Sequence, residues 1–268
     1  MKTLTKEHHE LKISYLRYRL ERVPHGYIDQ FRGKPAVYVY YDPDNPKTTL
    51  RSKARYYTDS PTGKIYVQRI QEYIELKSQY DYYVTKWNST YVEPPRKIKF
   101  PLRSITPRRL KTELDREFFE RAVPNQNLNE SPVKMPYKGQ IFHSKNEIAG
   151  VKAVESFGYD FKTEVLVDLA RYNKNDLPCV IFPDLLFYVP EIDKVIIMEV
   201  DGALDSEGYA VKSYGTTIKL LLAGLVEGKD FIVIRMADGR VFHPEIFDDM
   251  ITMAINASIK ELDLEFED

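Results

Sequence analysis

The sequence predicts a mixed α/β fold for the C-terminal half of this 268-residue chain, preceded by a small antiparallel sheet with a helix. From Ser144 onward, segments with helix-like apolar spacing and short apolar strands follow one another in the order α-β-β-β-α-β-α. Nearer the N-terminus, two segments rich in β-branched and aromatic residues flank a turn at Asp42–Pro46. The length suffices for one large domain or two modest ones.

Residues 1–90 are predicted to form a basic domain that starts with a helix, continues through two paired strands and ends with a second helix. Pro24 and Gly26 stop the first helix. The predicted elements are a helix over 5–22, strands Ala36–Tyr41 and Thr48–Tyr57, and a helix over 64–86. Residues 91–140 are predicted as a basic, proline-containing linker, with a helix from about Pro107 to Arg121.

Residues 141–268 are predicted to form a separate α/β domain. Its helices are expected at Ser144–Phe157, Glu207–Leu225 and Pro244–Leu262, and its strands at Thr163–Leu169, Cys179–Tyr188, Lys194–Val200 and Phe231–Arg235. The second helix should have an apolar side that contains Val211, Tyr214, Ile218, Leu221, Leu222 and Leu225. The last β-α-β unit should place its two strands parallel.

Charge is distributed unevenly along the chain. Residues 1–150 contain 28 Lys and Arg against 17 Asp and Glu, and residues 151–268 contain 11 against 23. A basic half suggests a polyanionic partner and an acidic half suggests cation binding, although charged stretches are often only solvated faces. The single cysteine, Cys179, and an N-terminus too charged for a secretion signal predict a cytoplasmic protein.

Tyrosines are concentrated in the basic half. Fourteen of the twenty precede residue 92, interleaved with cations such as Arg51, Lys53 and Arg55. Lys and Arg bind phosphates and aromatic rings stack on unpaired bases, so this half could bind nucleic acid. Tyrosine also favours strands and small cores, which is the competing explanation.

Three acidic residues interrupt or end apolar strands in the C-terminal half. Asp184 lies inside a predicted strand, Glu199 ends the next one, and Asp201 follows two positions later on the same side. Buried carboxylates are costly unless they are paired or bind a metal, and carboxylate oxygens suit Mg²⁺ or Mn²⁺. Taken one at a time, each could instead be a solvated strand end, a lysine partner or part of a turn.

The ordered set of motifs resembles the PD-(D/E)XK nuclease superfamily, and in particular a bacterial subgroup of nuclease-like proteins. The matching residues are Ser144–Glu147 at a helix start, Pro183-Asp184 in a strand, and Glu199–Gly202 after an apolar strand, with Asp205, Tyr209 and Phe231–Arg235 following. The match covers about Phe142 to Arg235. It implies a restriction-endonuclease-like α-β-β-β-α-β core with Glu147, Asp184 and Glu199 as metal ligands. The string Ser144–Glu147 also fits a helix capping box, which needs no active site.

One position departs from the superfamily pattern. The motif lysine is missing, and Asp201 stands in its place. That lysine would position water or stabilise charge at phosphorus, which an aspartate cannot do. Asp201 could instead be a fourth metal ligand while Lys219 or Lys212 supplies the cation from the following helix.

The resemblance therefore implies a Mg²⁺- or Mn²⁺-dependent endonuclease that hydrolyses phosphodiester bonds in DNA. Its catalytic set would be Glu147, Asp184, Glu199, Asp201 and Lys219. Two alternatives stay open: a catalytically degenerate nuclease-fold protein that binds nucleic acid, and an assembly or interaction module.

Overall fold

The structure is a computed structural model that describes residues 4–45, 47–49, 51–104, 114–127, 134–169, 180–201, 207–235 and 244–267. Each of its two compact units draws on two stretches of the sequence. The small unit contains Lys6–Pro101 and Leu264–Asp268, and the large unit contains Met1–Thr5 and Leu102–Asp263. The fold class is mixed α/β, with several small antiparallel sheets.

The small unit packs a long helix on one face of a three-stranded antiparallel sheet. Its elements are α1 (Lys6–Leu20), β1 (His25–Phe31), β2 (Lys34–Tyr41), β3 (Ala54–Tyr57) and α2 (Pro61–Thr90), with strand order β1-β2-β3. Val37 and Val39 of β2 pack against Ile70 of α2 and are almost fully buried. Helix α2 starts at an N-cap, Ser60, whose hydroxyl accepts a hydrogen bond from the Gly63 N–H.

A tight two-residue turn joins β1 to β2. Arg32 and Gly33 both have positive φ angles, 50° and 75°. Two left-handed central residues form the turn whose twist matches that of an antiparallel hairpin. The sequence analysis missed β1, because the Pro24 and Gly26 signals mark a stop and the following residues alternate poorly.

The second predicted strand of the small unit is shorter than expected. Only Ala54–Tyr57 of the predicted Thr48–Tyr57 forms a strand. The preceding residues form local hydrogen bonds instead: the Thr48 N–H donates to the Asn45 carbonyl, and the Ser52 hydroxyl donates to the Lys47 carbonyl. Side chains that satisfy nearby backbone groups compete with sheet pairing.

The large unit contains the remaining elements. They are β4 (Arg103–Ser104), α3 (Arg116–Arg121), β5 (Met135–Tyr137), β6 (Gln140–Phe142), α4 (Lys145–Ser156), β7 (Phe161–Lys162), β8 (Val167–Asp168), β9 (Val180–Ile181), β10 (Leu185–Val189), β11 (Lys194–Asp201), α5 (Glu207–Leu222), β12 (Phe231–Arg235), α6 (Pro244–Ile259) and β13 (Leu262–Asp263). Its main sheet has the order β12-β11-β10-β7. Strands β11 and β12 are parallel, as predicted, and β10 is antiparallel to β11.

Strand β11 is one of the two interior strands of this sheet. Four consecutive residues, Val195–Met198, are fully buried, which confirms the prediction of a strand covered on both faces. One side faces a cluster that includes Ile197, Leu220 and Val233. On the other side, Met198 lies next to Gly150 of α4, where a Cβ would come within 3.2 Å of its sulfur.

Two predicted strands are interrupted or shorter than expected. Of the predicted Thr163–Leu169 only β8 forms a strand; β7 precedes the predicted range, and Glu164 lies between β7 and β8 with a φ of 46°. The predicted Cys179–Tyr188 becomes β9 and β10, because Pro183 lacks the N–H that a continuous ladder needs. Cys179 itself lies outside the described residues. Both breaks fall beside the carboxylates discussed below.

Three predicted helices have different limits in the structure. The helix predicted from Pro107 is not one continuous helix to Arg121, since α3 begins after an extended N-cap, Asp115; residues 105–113 lie outside the described part. Helix α5 ends at Leu222, where Gly224 adopts a φ of 83°. The chain after α6 forms β13 instead of further helix, and β13 pairs with β4.

Five of the six residues predicted for the apolar side of α5 are exposed, contrary to the prediction, and the sixth, Leu225, is buried just after the helix ends. The exposed fractions of Val211, Tyr214, Ile218, Leu221 and Leu222 range from 48% to 69%. The buried side instead carries Ser213, Thr217 and Leu220, of which the first two are polar. The prediction was wrong because the surface under α5 contains the Asp201 carboxylate as well as apolar core residues, and Ser213 faces inward to bond that carboxylate. No helix among the described residues is both long and apolar enough to cross a membrane.

Candidate carboxylate site

A small pocket of about 80 Å³ opens at the end of β11 in the large unit. Three of the predicted site residues line it: Asp184, Glu199 and Asp201. The other lining residues are Asn127, Phe182, Ser213 and Thr216. The sequence therefore predicted the carboxylates that share this pocket, but it missed the amide and the hydroxyls.

Asp184 immediately precedes β10 and faces the end of β11. The antiparallel register pairs Leu185 with Met198, which brings Asp184 beside Glu199. The backbone N–H of Val200 donates a 2.7 Å hydrogen bond to Oδ2 of Asp184. This bond fixes one oxygen of the carboxylate at the edge of β11, while Glu199 lines the same pocket as a half-buried side chain.

The surroundings of Asp184 oppose its ionisation. Desolvation and the nearby negative charges of Glu147, Asp201 and Glu164 raise the pKa of Asp184 to about 7, against the opposing effect of the Val200 N–H. A carboxyl group with such a pKa is buried away from water and has further acids nearby. Sites of this kind are candidates for function.

Asp201 ends β11 and is buried, with 6% of its surface exposed. The Ser213 hydroxyl of α5 donates a hydrogen bond to its Oδ2. In the parallel register Asp201 pairs with Arg235 of β12, so both side chains leave the same face of the sheet. The position that a lysine would occupy in the nuclease pattern is thus an acid held by a hydroxyl group.

Glu147 lies in the first turn of α4 and takes part in a capping box. The Ser144 hydroxyl accepts a hydrogen bond from the Glu147 N–H, and Oε2 of Glu147 accepts one from the His143 N–H. Glu147 does not line the pocket, but after desolvation it is the largest cause of the raised Asp184 pKa. It therefore combines a structural role with an electrostatic one.

Glu164 is an acidic neighbour of Asp184 that the sequence analysis missed. Its backbone N–H donates to the Pro183 carbonyl, and its carboxylate accepts a 3.2 Å hydrogen bond from Asn127 and lies 3.4 Å from His143 Nε2. Its φ of 46° is unusual for a residue other than glycine, asparagine or aspartate. The signal in the sequence that could have identified Glu164 is an acidic residue at a polar position of the predicted alternating strand Thr163–Leu169.

The cation that the nuclease pattern requires is not supplied by Lys219 in this conformation. Lys219 is exposed on α5 and is not among the pocket residues, and the Lys212 side chain lies outside the described part. Arg235, which was not among the predicted site residues, pairs with Asp201 in the parallel register. Its guanidinium donates 3.0 Å hydrogen bonds to Thr217 and to Glu227, and its buried Nε has no partner among the described residues.

The donor set suits a divalent cation in its chemistry but not in its present spacing. Oxygen atoms of carboxylate, amide and hydroxyl groups around one pocket are hard ligands of the type that Mg²⁺ binds, and burial together with neighbouring acids raises the pKa of Asp184. Within the described ranges, however, no three His, Cys, Asp or Glu side chains are close enough together to hold a metal ion. Asp184 and Asp201 each have one oxygen engaged by the protein itself.

Comparisons of the chain with protein-family models, with curated proteins and with solved structures find no match.

Proposed function

We propose that the large unit is a divalent-metal-dependent nuclease with a restriction-endonuclease-like core, and that it hydrolyses phosphodiester bonds in DNA. The observation that carries the proposal is the shared pocket of Asp184, Glu199 and Asp201 at the end of one interior strand. The order of α4, β7, β10, β11, α5 and β12 and the parallel pairing of the last two strands support the same core.

Asp184 and Glu199 would hold the cation, Asp201 would be a further ligand, and Glu147 would add negative charge from α4. A bound Mg²⁺ or Mn²⁺ would supply a polarised phosphoryl oxygen and a water of lowered pKa. The Val200 N–H orients Asp184 and the Ser213 hydroxyl orients Asp201, so the protein fixes one oxygen of each and leaves the other for a ligand.

The test is DNA cleavage by the full chain. Purified protein is incubated with Mg²⁺ or Mn²⁺ and either plasmid or single-stranded DNA, and the variants Asp184→Ala and Glu199→Ala are assayed beside it. Asp249→Ala is the matched control, because Asp249 is an exposed acid on α6. We expect cleavage by wild type and by the control, and a loss of at least about 100-fold in both site variants. Equal cleavage by all four proteins would refute the proposal.

A second candidate function is a nuclease-fold protein that binds nucleic acid without cutting it. The specific observation in its favour is Asp201, which occupies the position of the motif cation and is bound by Ser213, while Lys219 points to solvent. This candidate predicts salt-sensitive DNA binding and no metal-dependent turnover. Cleavage that disappears in Glu199→Ala would rule it out.

A further inference from the structure

The sheet of the small unit has one face covered by α2 and one face open. Val37 and Val39 point towards α2, so the residues between them in sequence point the other way. Directly paired residues of antiparallel strands share a face, and the register pairs Tyr27 with Tyr38 and Tyr38 with Arg55. We call this the outer sheet face; its large side chains are Tyr27, Phe31, Lys34, Tyr38, Arg55 and Tyr57.

Aromatic rings on the outer sheet face are accessible. Tyr27 and Tyr57 are 37% and 38% exposed, and Tyr38 and Phe31 are half-buried. The rings of Tyr27 and Tyr38 stack with centroids 4.8 Å apart and planes 10° from parallel. The result is a ring platform whose open side has the geometry on which a nucleic-acid base can stack.

Cations lie among these rings, and the acid of the same face, Asp29 between Tyr27 and Phe31, forms no described ion pair with them. Lys53 Nζ lies 5.3 Å from the Tyr27 ring centre, and the Arg55 guanidinium carbon lies 3.3 Å from that of Phe31. Lys34 Nζ lies 6.0 Å from the Tyr57 ring centre. Among the described residues, none of these three cations forms an ion pair with a carboxylate.

Other cations of the same unit are neutralised. Arg69 lies 2.8 Å from Asp44, and Arg19 lies 2.5 Å from Glu72, both outside the outer sheet face. Strand propensity would account for aromatic residues on either face of the sheet. It does not account for three cations gathered without acid partners beside exposed rings. That combination complements a ligand with both phosphates and unpaired bases.

We propose that the outer sheet face binds single-stranded nucleic acid, with Lys34, Lys53 and Arg55 contacting phosphates and Tyr27 and Tyr57 stacking on bases. This goes beyond the proposed nuclease function, because binding by this face requires neither a metal ion nor cleavage. Unpaired DNA and unpaired RNA share the chemistry that the face recognises. A duplex keeps its bases stacked inside and offers only its phosphates.

The experiment measures binding of fluorescently labelled oligonucleotides to the full chain in EDTA, by anisotropy at several salt concentrations. The probes are single-stranded DNA, single-stranded RNA and duplex DNA of mixed sequence. Tyr57→Ala should weaken single-strand binding about five-fold or more at every salt concentration without changing the salt dependence. Lys53→Gln should lower the slope of log K against log salt by about 0.7 in magnitude.

Matched controls come from α2 of the same unit. Tyr82→Ala removes a tyrosine that is 39% exposed, and Lys64→Gln removes an exposed lysine, both away from the sheet. Neither should change affinity or slope. Thermal unfolding of each variant separates lost binding from lost folding, and Lys53→Gln leaves the strands intact because Lys53 precedes β3.

Tight binding of either single strand, lost in the face variants and kept in the controls, supports the proposal. Wild-type affinity in both face variants, or duplex binding that exceeds single-strand binding, overturns it. Binding is measured in EDTA, where a metal-dependent nuclease does not cleave. Failure of cleavage and failure of binding are therefore separate results.

Discussion

The backbone N–H of Glu164 donates a 3.1 Å hydrogen bond to the carbonyl oxygen of Pro183, the residue that precedes Asp184. Glu164 holds a left-handed conformation, with a φ of 46°, while it makes this bond. An unfavourable backbone conformation that is kept beside a cluster of charged groups is a common sign of a functional site. The break between β7 and β8 is therefore part of how Asp184 is positioned.

The strain at Glu164 can be measured with a pair of variants. Glu164→Ala and Glu164→Gly both remove the carboxylate, but only glycine adopts a positive φ without steric cost. We expect the glycine variant to be more stable than the alanine variant by about 1 kcal/mol in urea unfolding. The same pair at Lys152, an exposed position in α4, should show the opposite order by about 1 kcal/mol. If the alanine variant were the more stable one at both positions, the backbone of Glu164 would not be strained.

Asp184→Asn should stabilise the protein in a pH-dependent way when EDTA is present. The pKa of Asp184 is about 7 in the folded protein and near its ordinary value of 3.8 in the unfolded chain. This carboxyl group therefore lowers the stability of the folded wild-type protein as the pH rises from about 4 to 7, and the full cost is reached above pH 7. The variant escapes a cost on the order of 4 kcal/mol at pH 8 and well under 1 kcal/mol at pH 4.

The measurement is urea unfolding of wild type and Asp184→Asn between pH 4 and 8. Asp249→Asn serves as the control and should differ from wild type by the same small amount throughout. A constant difference for Asp184→Asn across this range would show that its pKa is not raised. Divalent metal should stabilise wild type at pH 8 and leave the Asp184→Asn variant unchanged.

Glu147→Gln separates the two roles of Glu147. A glutamine oxygen can still accept the His143 N–H bond, so the capping box should survive with a change below about 0.5 kcal/mol. Removal of the charge should lower the pKa of Asp184, which a ¹³C NMR titration of its carboxyl carbon would measure. Glu147→Ala removes both contributions and should also cost about 1 kcal/mol of stability. An unchanged Asp184 pKa in both variants would exclude the electrostatic role.

In the small unit, Arg96→Ala should be more damaging than an ordinary surface substitution. The Glu10 carboxylate, 1% exposed, accepts hydrogen bonds from Nε, Nη2 and the backbone N–H of Arg96. Removing the Arg96 side chain from the buried Glu10 carboxylate should lower the free energy of unfolding by about 1–3 kcal/mol. Adding Glu10→Gln to Arg96→Ala should restore part of that stability. Urea unfolding measures both. Arg121→Ala, which breaks an exposed pair with Glu117, should cost less than about 0.5 kcal/mol.

Elements with strong local patterns were predictable from sequence. Lys194–Val200 and Phe231–Arg235 are strands because consecutive β-branched and apolar residues suit a buried sheet. Helix α4 starts after Ser144 because the sequence Ser144–Glu147 forms a capping box. Asp184, Glu199 and Asp201 could be placed together because neighbouring strands put them at one edge. What sequence could not show is set by tertiary contacts.

Two examples show the limit. The apolar residues of α5 have helical spacing, but Ser213 and Thr217 face inward, where Ser213 donates to Asp201 and Thr217 accepts from Arg235. Glu164 looked like an ordinary strand residue, because its conformation depends on hydrogen bonds to Pro183 and Gln126, which are distant in sequence. Periodicity records which residues share a side, not which side is buried.

The small unit is completed by the last residues of the chain. The Lys99 N–H donates to the Glu265 carbonyl, the Glu267 N–H donates to the Lys97 carbonyl, and Arg17 lies 2.8 Å from Glu267. Domains often fold in order as the ribosome releases them. Here the small unit receives these contacts only after the residues of the large unit have been synthesised. A fragment that stops at Pro101 would therefore lack residues that belong to the small unit.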